Sequence, residues 1–373
     1  MAKAKKEELD KFAKMRALAT LINKSQWGGR GNDIATVLGA EDVVSNVTKF
    51  STGDIAIDYA FGGGVPEGKI IELWGGESAG KSTLIYHIIA NFQKKYPSRG
   101  ILLLDTEGSY DPLYAEALGV DAKGIIHVEC ESGLGALNIA KLSGETGDIS
   151  LIIIDSIAAL TTKSDDNGDI GDQMMAEQAR MVSQAFRVLN ALRQKYNITI
   201  AVTNQIRDNI GVSYGDKTST PAGKALKHYA HIRVKMTRTN KIKNKSEEVV
   251  AVEGKLECVK NKVAPPFRKA EYTITFGRGI DSVIGVVKLA VSRKVLKKQG
   301  AWLVWIDGKE KFQGVPNLVD FLRKNPDALA RLTSAVQQNL DGGGDEQTED
   351  VPVDQEDDTG NDTGDEDNSV EVI

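Results

Sequence analysis

Cysteine occurs only twice in these 373 residues, as Cys130 and Cys258, and histidine only four times. Two thiols are too few for a disulfide framework. His127 with Cys130 and His228 with His231 each stand three apart, but neither pair has the turn chemistry of a zinc site. No apolar run approaches the roughly 20 residues that a membrane span needs, and no apolar leader opens the sequence. Export is therefore not expected, and a cytoplasmic protein is. What is present, 41% apolar and 27% charged residues, suffices for one large core with smaller appendages.

Positive charge is missing from one end. Residues 341–373 carry fourteen Asp or Glu and no Lys or Arg, so the net charge of −5 conceals a body with 47 basic and 38 acidic residues. A basic body with an acidic tail suits a protein that meets polyanions; the bland alternative is a tail that only solvates an end. That segment has no material for a core and is expected to be disordered.

Residues 3–24 predict a basic amphipathic helix, with Phe12, Met15, Ala19 and Ile22 at helical spacing. Glycines in SQWGGRGN then mark a linker, which gives a first unit over 1–33. From 34 to 280 strand and helix signals alternate. GKIIELW, ILLLD (101–105), LIIID (151–155) and ITIAVTN (198–204) are short, β-branched apolar runs suited to buried parallel strands. Between them, Leu84, Ile85, Ile88, Ile89 and Phe92 share one helical face, and Met181, Ala185, Phe186, Leu189 and Leu192 another. This alternation predicts a doubly wound α/β core with a mostly parallel central sheet. HIRVKMTRT, GKLECVKNK and EYTITFG then predict an antiparallel extension of that sheet. Residues 281–340 read as a small C-terminal α/β domain, and 341–373 as the acidic tail.

The turn GGESAGKST fits G-x-x-x-x-G-K-[ST] through Gly75, Gly80, Lys81 and Ser82, with a strand before it and a helix after it. Backbone N–H groups from Gly75, Gly76, Glu77, Ser78, Ala79, Gly80, Lys81, Ser82 and Thr83 can converge on the phosphates of ATP. Lys81 meets the β and γ phosphates, and the Ser82 hydroxyl is a ligand for Mg²⁺. Asp155 ends a buried strand, where a carboxylate is costly without a cation, so it is assigned to support Mg²⁺; a surface aspartate is the alternative. ILLLDTEG ends in Asp105 and Glu107. Glu107, expected one strand from the phosphate turn, is the chosen base for activating water, with a structural carboxylate as its rival. Asn204 and Gln205 reach the same edge of the sheet, where an amide that bonds a γ phosphate and loses it on hydrolysis makes Gln205 a candidate switch.

Taken together, ISTGDIAIDYAFGGGVPEGKIIELWGGESAGKST, LLDTEGSYDPLYAEALGV, LIIIDSIAALT, GDIGDQMMAEQARMVSQAFRVL, TNQIRDNIGV, ECVKNKVAPPF and TITFGRGID resemble the RecA recombinases, in the family's order from about residue 50 to 282. Related helicases share the first and third blocks but not, as a rule, NQIR followed by VKNKVAPPF. The resemblance implies a P-loop RecA-type core. It also implies an ATP-dependent recombinase that polymerises on single-stranded DNA, searches duplex DNA for homology and exchanges strands. Asp111 and Tyr114 match the adenine-contacting positions, though Tyr114 is open to reading as a buried aromatic. Lys260 and Lys262 match lysines that reach a neighbouring subunit's γ phosphate; two solvated lysines of an edge strand are the alternative. The family further implies co-protease action on a self-cleaving repressor in the SOS response, and loader or single-strand-binding proteins as partners.

DNA is expected on two loops. The first, 161–175, feeds a helix bearing Arg180 and Arg187, seven apart and so on one face. The second, 206–224, offers Arg207, Lys217 and Lys224 as phosphate ligands and Ile210 as an apolar wedge between bases. Contacts to backbone rather than to base edges make affinity fall steeply with salt. Ala222, Lys224 and His228 stand where the family has a double glycine and a bulky apolar residue, and Gly108 is smaller than the family leads one to expect. The N-terminal helix is expected to pack on an adjacent protomer. The acidic tail is expected to compete with DNA for the basic loops. Deleting 341–373 should therefore strengthen duplex binding and lower the Mg²⁺ requirement; salt titrations that do not change on deletion would reject this. A hexameric helicase and a non-catalytic P-loop scaffold are the rival readings.

Overall fold

The computed structural model describes residues 2–24, 47–130, 132–162, 175–208, 218–219 and 223–342. The expected linker, much of both DNA loops and the acidic tail beyond Gly342 lie outside them. The N-terminal helix is α1 (Ala2–Lys24). Next come β1 (Lys49–Phe50), α2 (Ile55–Phe61), β2 (Val65–Pro66), β3 (Ile70–Gly75), α3 (Lys81–Lys95), β4 (Gly100–Asp105), α4 (Pro112–Ala117) and β5 (Ile125–Glu129). They are followed by α5 (Gly133–Thr146), β6 (Ile149–Asp155), α6 (Met175–Tyr196), β7 (Thr199–Gln205), β8 (Arg207–Asp208), β9 (Thr218–Ser219) and α7 (Gly223–Tyr229). Then come β10 (Ile232–Lys243), β11 (Val249–Asn261), β12 (Lys269–Thr275) and β13 (Gly279–Ile280). The chain then forms α8 (Ser282–Ser292), β14 (Lys297–Gln299), β15 (Trp302–Val304), β16 (Lys311–Gln313), α9 (Gly314–Lys324) and α10 (Pro326–Asp341).

Nine strands share one sheet in the order β13-β12-β11-β10-β3-β7-β6-β4-β5. The six from β10 to β5 are mutually parallel, and β11, β12 and β13 extend the sheet antiparallel. One expectation needs correction, and one strand was not foreseen. HIRVKMTRT is the last parallel strand, because Ile232–Met236 pair in parallel with Ile71–Gly75; only its partners after the turn run the other way. The edge strand β5, whose half-exposed IIHVE lacks a continuous apolar signature, escaped the sequence reading.

The sheet is covered on both faces, and the alternation of β-residues assigns each side chain its layer. Leu151 and Ile153 pack with Leu84, Ile88 and Val286 under α3 and α8, whereas Ile152 and Ile154 pack with Ala140, Phe186 and Leu189 under α5 and α6. The α3 face named above is buried in full, and the α6 face is carried by Val182, Phe186 and Leu189, with Met181, Ala185 and Leu192 half-buried. Downstream, a three-stranded sheet β14-β15-β16 with α9 and α10 joins the α3 side, through Leu303, Trp305, Leu318 and Leu332. On α1, Met15 and Ile22 are exposed, and so are Leu18 and Leu21, which the sequence reading did not single out.

Asp54 caps α2, its Oδ1 accepting from the N–H groups of Ala56 (2.8 Å) and Ile57 (3.0 Å). Its Oδ2 is buried without a hydrogen-bond partner among the described residues, against Gly285 of α8, where a Cβ would lie 2.1 Å away. Burial pushes this carboxyl up to about 7. A folded-state pKa above the unfolded value favours the fold only while the group stays protonated. Stability should thus fall as pH rises from about 4 to 7, by at most about 1.4 kcal/mol per unit for one proton, and level off above. Asp54→Asn keeps the capping oxygen and removes the titration. Its urea midpoint should change less between pH 5 and pH 8 than that of the parent chain, and an equal change in both would contradict the assignment.

Candidate nucleotide site

β3 sits centrally in the sheet, and its carboxyl end opens into the phosphate turn. Ser78 (φ 55°) and Gly80 (φ 86°) are left-handed, which turns successive N–H groups toward one concavity. Gly80 is needed there twice over, for its φ and because a Cβ would fall 2.2 Å from Ile274 Cδ1. From β12 the buried Tyr272 hydroxyl donates to Ala79 O at 2.6 Å and fixes the turn from below. Burial pushes that phenol well up, so it stays a donor. Lys81 begins α3, and its ammonium donates to Gly75 O (3.1 Å) and Gly76 O (2.9 Å). Burial lowers its pKa, opposed by Asp155, Glu107 and Glu77. A cleft of about 270 Å³ lies over the turn, lined by residues 77–83 together with Glu107, Asp155 and Gln205.

Asp155 ends β6 and is 9% exposed. Thr203 Oγ1 donates to its Oδ1 at 2.5 Å. Burial raises its pKa, hydrogen bonds from Thr203 and Ser82 lower it, and the carboxylates of Glu107 and Asp105 raise it further. A buried carboxyl destabilised as an anion, bonded to a hydroxyl on the phosphate turn, is a hard-oxygen donor set that fits Mg²⁺. Thr203, one strand over, was missed because a threonine inside an apolar run reads as β-propensity alone.

Glu107 is exposed on the loop after β4. That strand is not the neighbour of β3, since β7 and β6 lie between them. The loop spans the gap: Glu107 Oε1 accepts from Gln205 Nε2 at 3.0 Å and from the Ser156 hydroxyl. Base and switch candidates are thus directly bonded. The loop owes its shape to Asp105, buried at the strand end, whose Oδ1 accepts from the N–H of Glu107 (3.2 Å) and Ser109 (3.1 Å) and whose Oδ2 accepts from Tyr110 N–H (2.8 Å). Asp111 caps α4 through Tyr114 N–H at 3.0 Å. Tyr114 is half-buried; its hydroxyl is 3.2 Å from Thr83 Oγ1 and its ring meets Tyr86 edge-on at 5.9 Å.

Lys260 and Lys262 do not join this cluster. Lys260 pairs in register with Arg233, which pairs with Glu72, three residues before Gly75; Lys262 N–H donates to His231 O, further back still. At about 3.3 Å per residue, Lys260 stands about 10 Å behind the carboxyl end of β3 and two strands to the side. Its ammonium donates to Lys227 O (2.5 Å) and His228 O (3.3 Å) at the end of α7. Burial, then Lys262 and Arg233, lower its pKa, against Glu72.

Arg180 and Arg187 are exposed on α6. The second loop is closed at its base, where Arg207 and Asp208 of β8 pair antiparallel with Ser219 and Thr218 of β9. Lys224 lies in α7, while Ile210 and Lys217 fall outside the described residues.

The sheet order, the phosphate turn at its carboxyl edge and the carboxylates beside it define a P-loop ATPase core of the RecA type. The chain matches the RecA N-terminal domain over residues 16–281. It is 38% identical over 333 residues to Protein RecA of Allochromatium vinosum, covering 89% of this chain and 94% of that protein. To Protein RecA of Sinorhizobium fredii it is 37% identical over 357 residues, covering 93% and 97%. To that of Thermus aquaticus it is 39% identical over 293 residues, covering 78% and 85%. The chain belongs to the RecA family: it is a DNA-dependent ATPase that acts in DNA recombination and repair. Among the described residues no helix is long and apolar enough to cross a membrane.

Proposed function

We propose that the protein assembles into a helical filament on single-stranded DNA, with ATP held between successive protomers, and uses that filament for homology search and strand exchange. The position of Lys260 and Lys262 carries this reading. Lys260 stands about 10 Å behind the carboxyl end of β3 and two strands from the chain's own phosphate turn, with Lys262 further back, so we assign to them the nucleotide of another copy. Head-to-tail contacts of that kind do not close on themselves unless the rotation does, and otherwise build a fibre. The exposed Met15, Leu18, Leu21 and Ile22 of α1 offer the apolar face for packing on the adjacent protomer.

In each site the turn from Gly75 to Thr83 and Lys81 hold the triphosphate, and Tyr114 with Asp111 borders the base. Ser82 and Asp155 would hold Mg²⁺, which supplies neutralisation of phosphate charge when bound. Glu107 takes a proton from the water that attacks the γ phosphorus, and ADP leaves with the electron pair of the broken bond. Gln205 leaves Glu107 to bond the γ phosphate and returns after cleavage, which moves β8 and the second loop directly after it. Arg180, Arg187, Arg207, Lys217 and Lys224 hold DNA backbones, with Ile210 between bases. Self-cleaving repressors, loaders and single-strand-binding proteins are partners of the assembled fibre. Negative-stain images with single-stranded DNA and a slowly hydrolysed ATP analogue test the reading: long helical fibres support it, and closed rings favour a helicase.

A further inference from the structure

We propose that Glu72, buried between Asn204 and Arg233, is a positioning residue that ties the chain's own γ-phosphate contact to the lysine it offers its neighbour. Glu72 lies mid-strand in β3 and is 0% exposed. Its Oε1 accepts from Asn204 Nδ2 at 3.0 Å and its Oε2 from Arg233 Nε at 2.5 Å. A carboxylate at the centre of a sheet gives the fold little that an apolar triad would not, since desolvation offsets most of the attraction. Its neighbours suggest another use.

On one side, Asn204 Oδ1 accepts from the N–H of Gln205 at 3.0 Å, and Gln205 in turn bonds Glu107. On the other, Arg233 is fixed by Glu72 and by the ring of Trp74, 5.4 Å from its guanidinium carbon, and it stands opposite Lys260 in register. Hydrogen bonds thus link the base, Glu107, through Gln205 and Asn204 across β7 and β3 to Glu72 and Arg233, and Arg233 meets Lys260 one strand further through register and like-charge repulsion, not through a side-chain bond. Lys260 rests on the last carbonyls of α7, the helix that ends the second DNA loop. Each member of the line has partners on both sides. If Gln205 is drawn to phosphate and its backbone shifts with it, the Asn204–Glu72–Arg233 bonds shift too or leave a buried polar group unpaired, and Arg233 then changes the repulsion that Lys260 feels. Glu72 also sets its negative charge against the cations gathered on this face, Arg233, Lys235 and Lys260.

This inference rests on the nucleotide being shared between protomers, and the test separates the two. Binding of a slowly hydrolysed ATP analogue to the full chain on single-stranded DNA is measured against analogue concentration, a readout that does not depend on turnover. Glu72→Gln keeps the volume but sets an amide N–H against a donor. It should lower the Hill coefficient to about 1, while ADP affinity of the DNA-free protein stays within about twofold, because coupling between sites is lost and not the site. Arg233→Lys, a milder change that keeps the charge, should do the same, and the double variant should add nothing further. A purely structural role would lower the melting temperature and leave the Hill coefficient as it was. If Lys260→Ala abolishes cooperativity while Glu72→Gln and Arg233→Lys preserve it, the relay is wrong and the shared nucleotide stands. If Lys260→Ala preserves it too, both fall.

Discussion

Lys81→Ala should abolish ATP turnover, with a loss of at least about 10²–10³-fold, the usual cost of removing one charge aimed at a developing anion in a preorganised site. Among the described residues the ammonium is the one cationic side chain lining the cleft, and it is partly desolvated, which strengthens its attraction for phosphate. Its loss also removes two hydrogen bonds to Gly75 and Gly76. Each is worth about 1 kcal/mol, so the fold should survive with a modest fall in melting temperature. Phosphate release by the purified variant on single-stranded DNA is the measurement, and more than a tenth of parental turnover would contradict the assignment.

Replacing Lys260 and Lys262 together by Ala should be nearly as damaging, but by another route. A cation supplied in trans to a phosphoryl transfer is worth about 10³-fold or more, so DNA-stimulated turnover should collapse. The variant's own phosphate turn stays intact, because neither lysine approaches it. ADP binding by the isolated protomer should therefore remain near the parental value, whereas Lys81→Ala weakens it. Two variants equally dead in turnover and opposite in nucleotide affinity would be the signature. Comparable loss of affinity in both would place the lysines in their own site.

Much of this was legible in the sequence because burial on both faces leaves an unmistakable trace. The runs at 101–105 and 151–155 suit covered strands, and the terminal carboxylate of the second, Asp155, is costly there without a partner. The phosphate turn was readable for the same reason, since few contexts need that spacing of Gly80 and Lys81 after a strand. Strand order was less accessible. Glu107 reads as one strand from the turn, yet β7 and β6 lie between β4 and β3, since sequence proximity says nothing of which crossover inserts where. The supporting residues were hidden as well. Tyr272, Thr203 and Glu72 act through bonds to distant segments, Ala79, Asp155 and Arg233, and no local pattern marks a hydroxyl or carboxylate as having a partner 48 or more residues away. The resemblance to a family supplied what periodicity could not, the pairing of Lys260 and Lys262 with a nucleotide. The sheet shows only that neither lysine reaches its own turn, and the pairing itself is left to experiment.

The most direct test of a nucleotide shared between copies mixes the two inactive variants in equal amounts on single-stranded DNA. A Lys260→Ala/Lys262→Ala protomer keeps a working phosphate turn, and a Lys81→Ala protomer keeps the lysines to complete it. Random assembly makes about a quarter of the contacts whole, so turnover should return to about that fraction of the parental rate. A mixture as inactive as its parts would contradict the account.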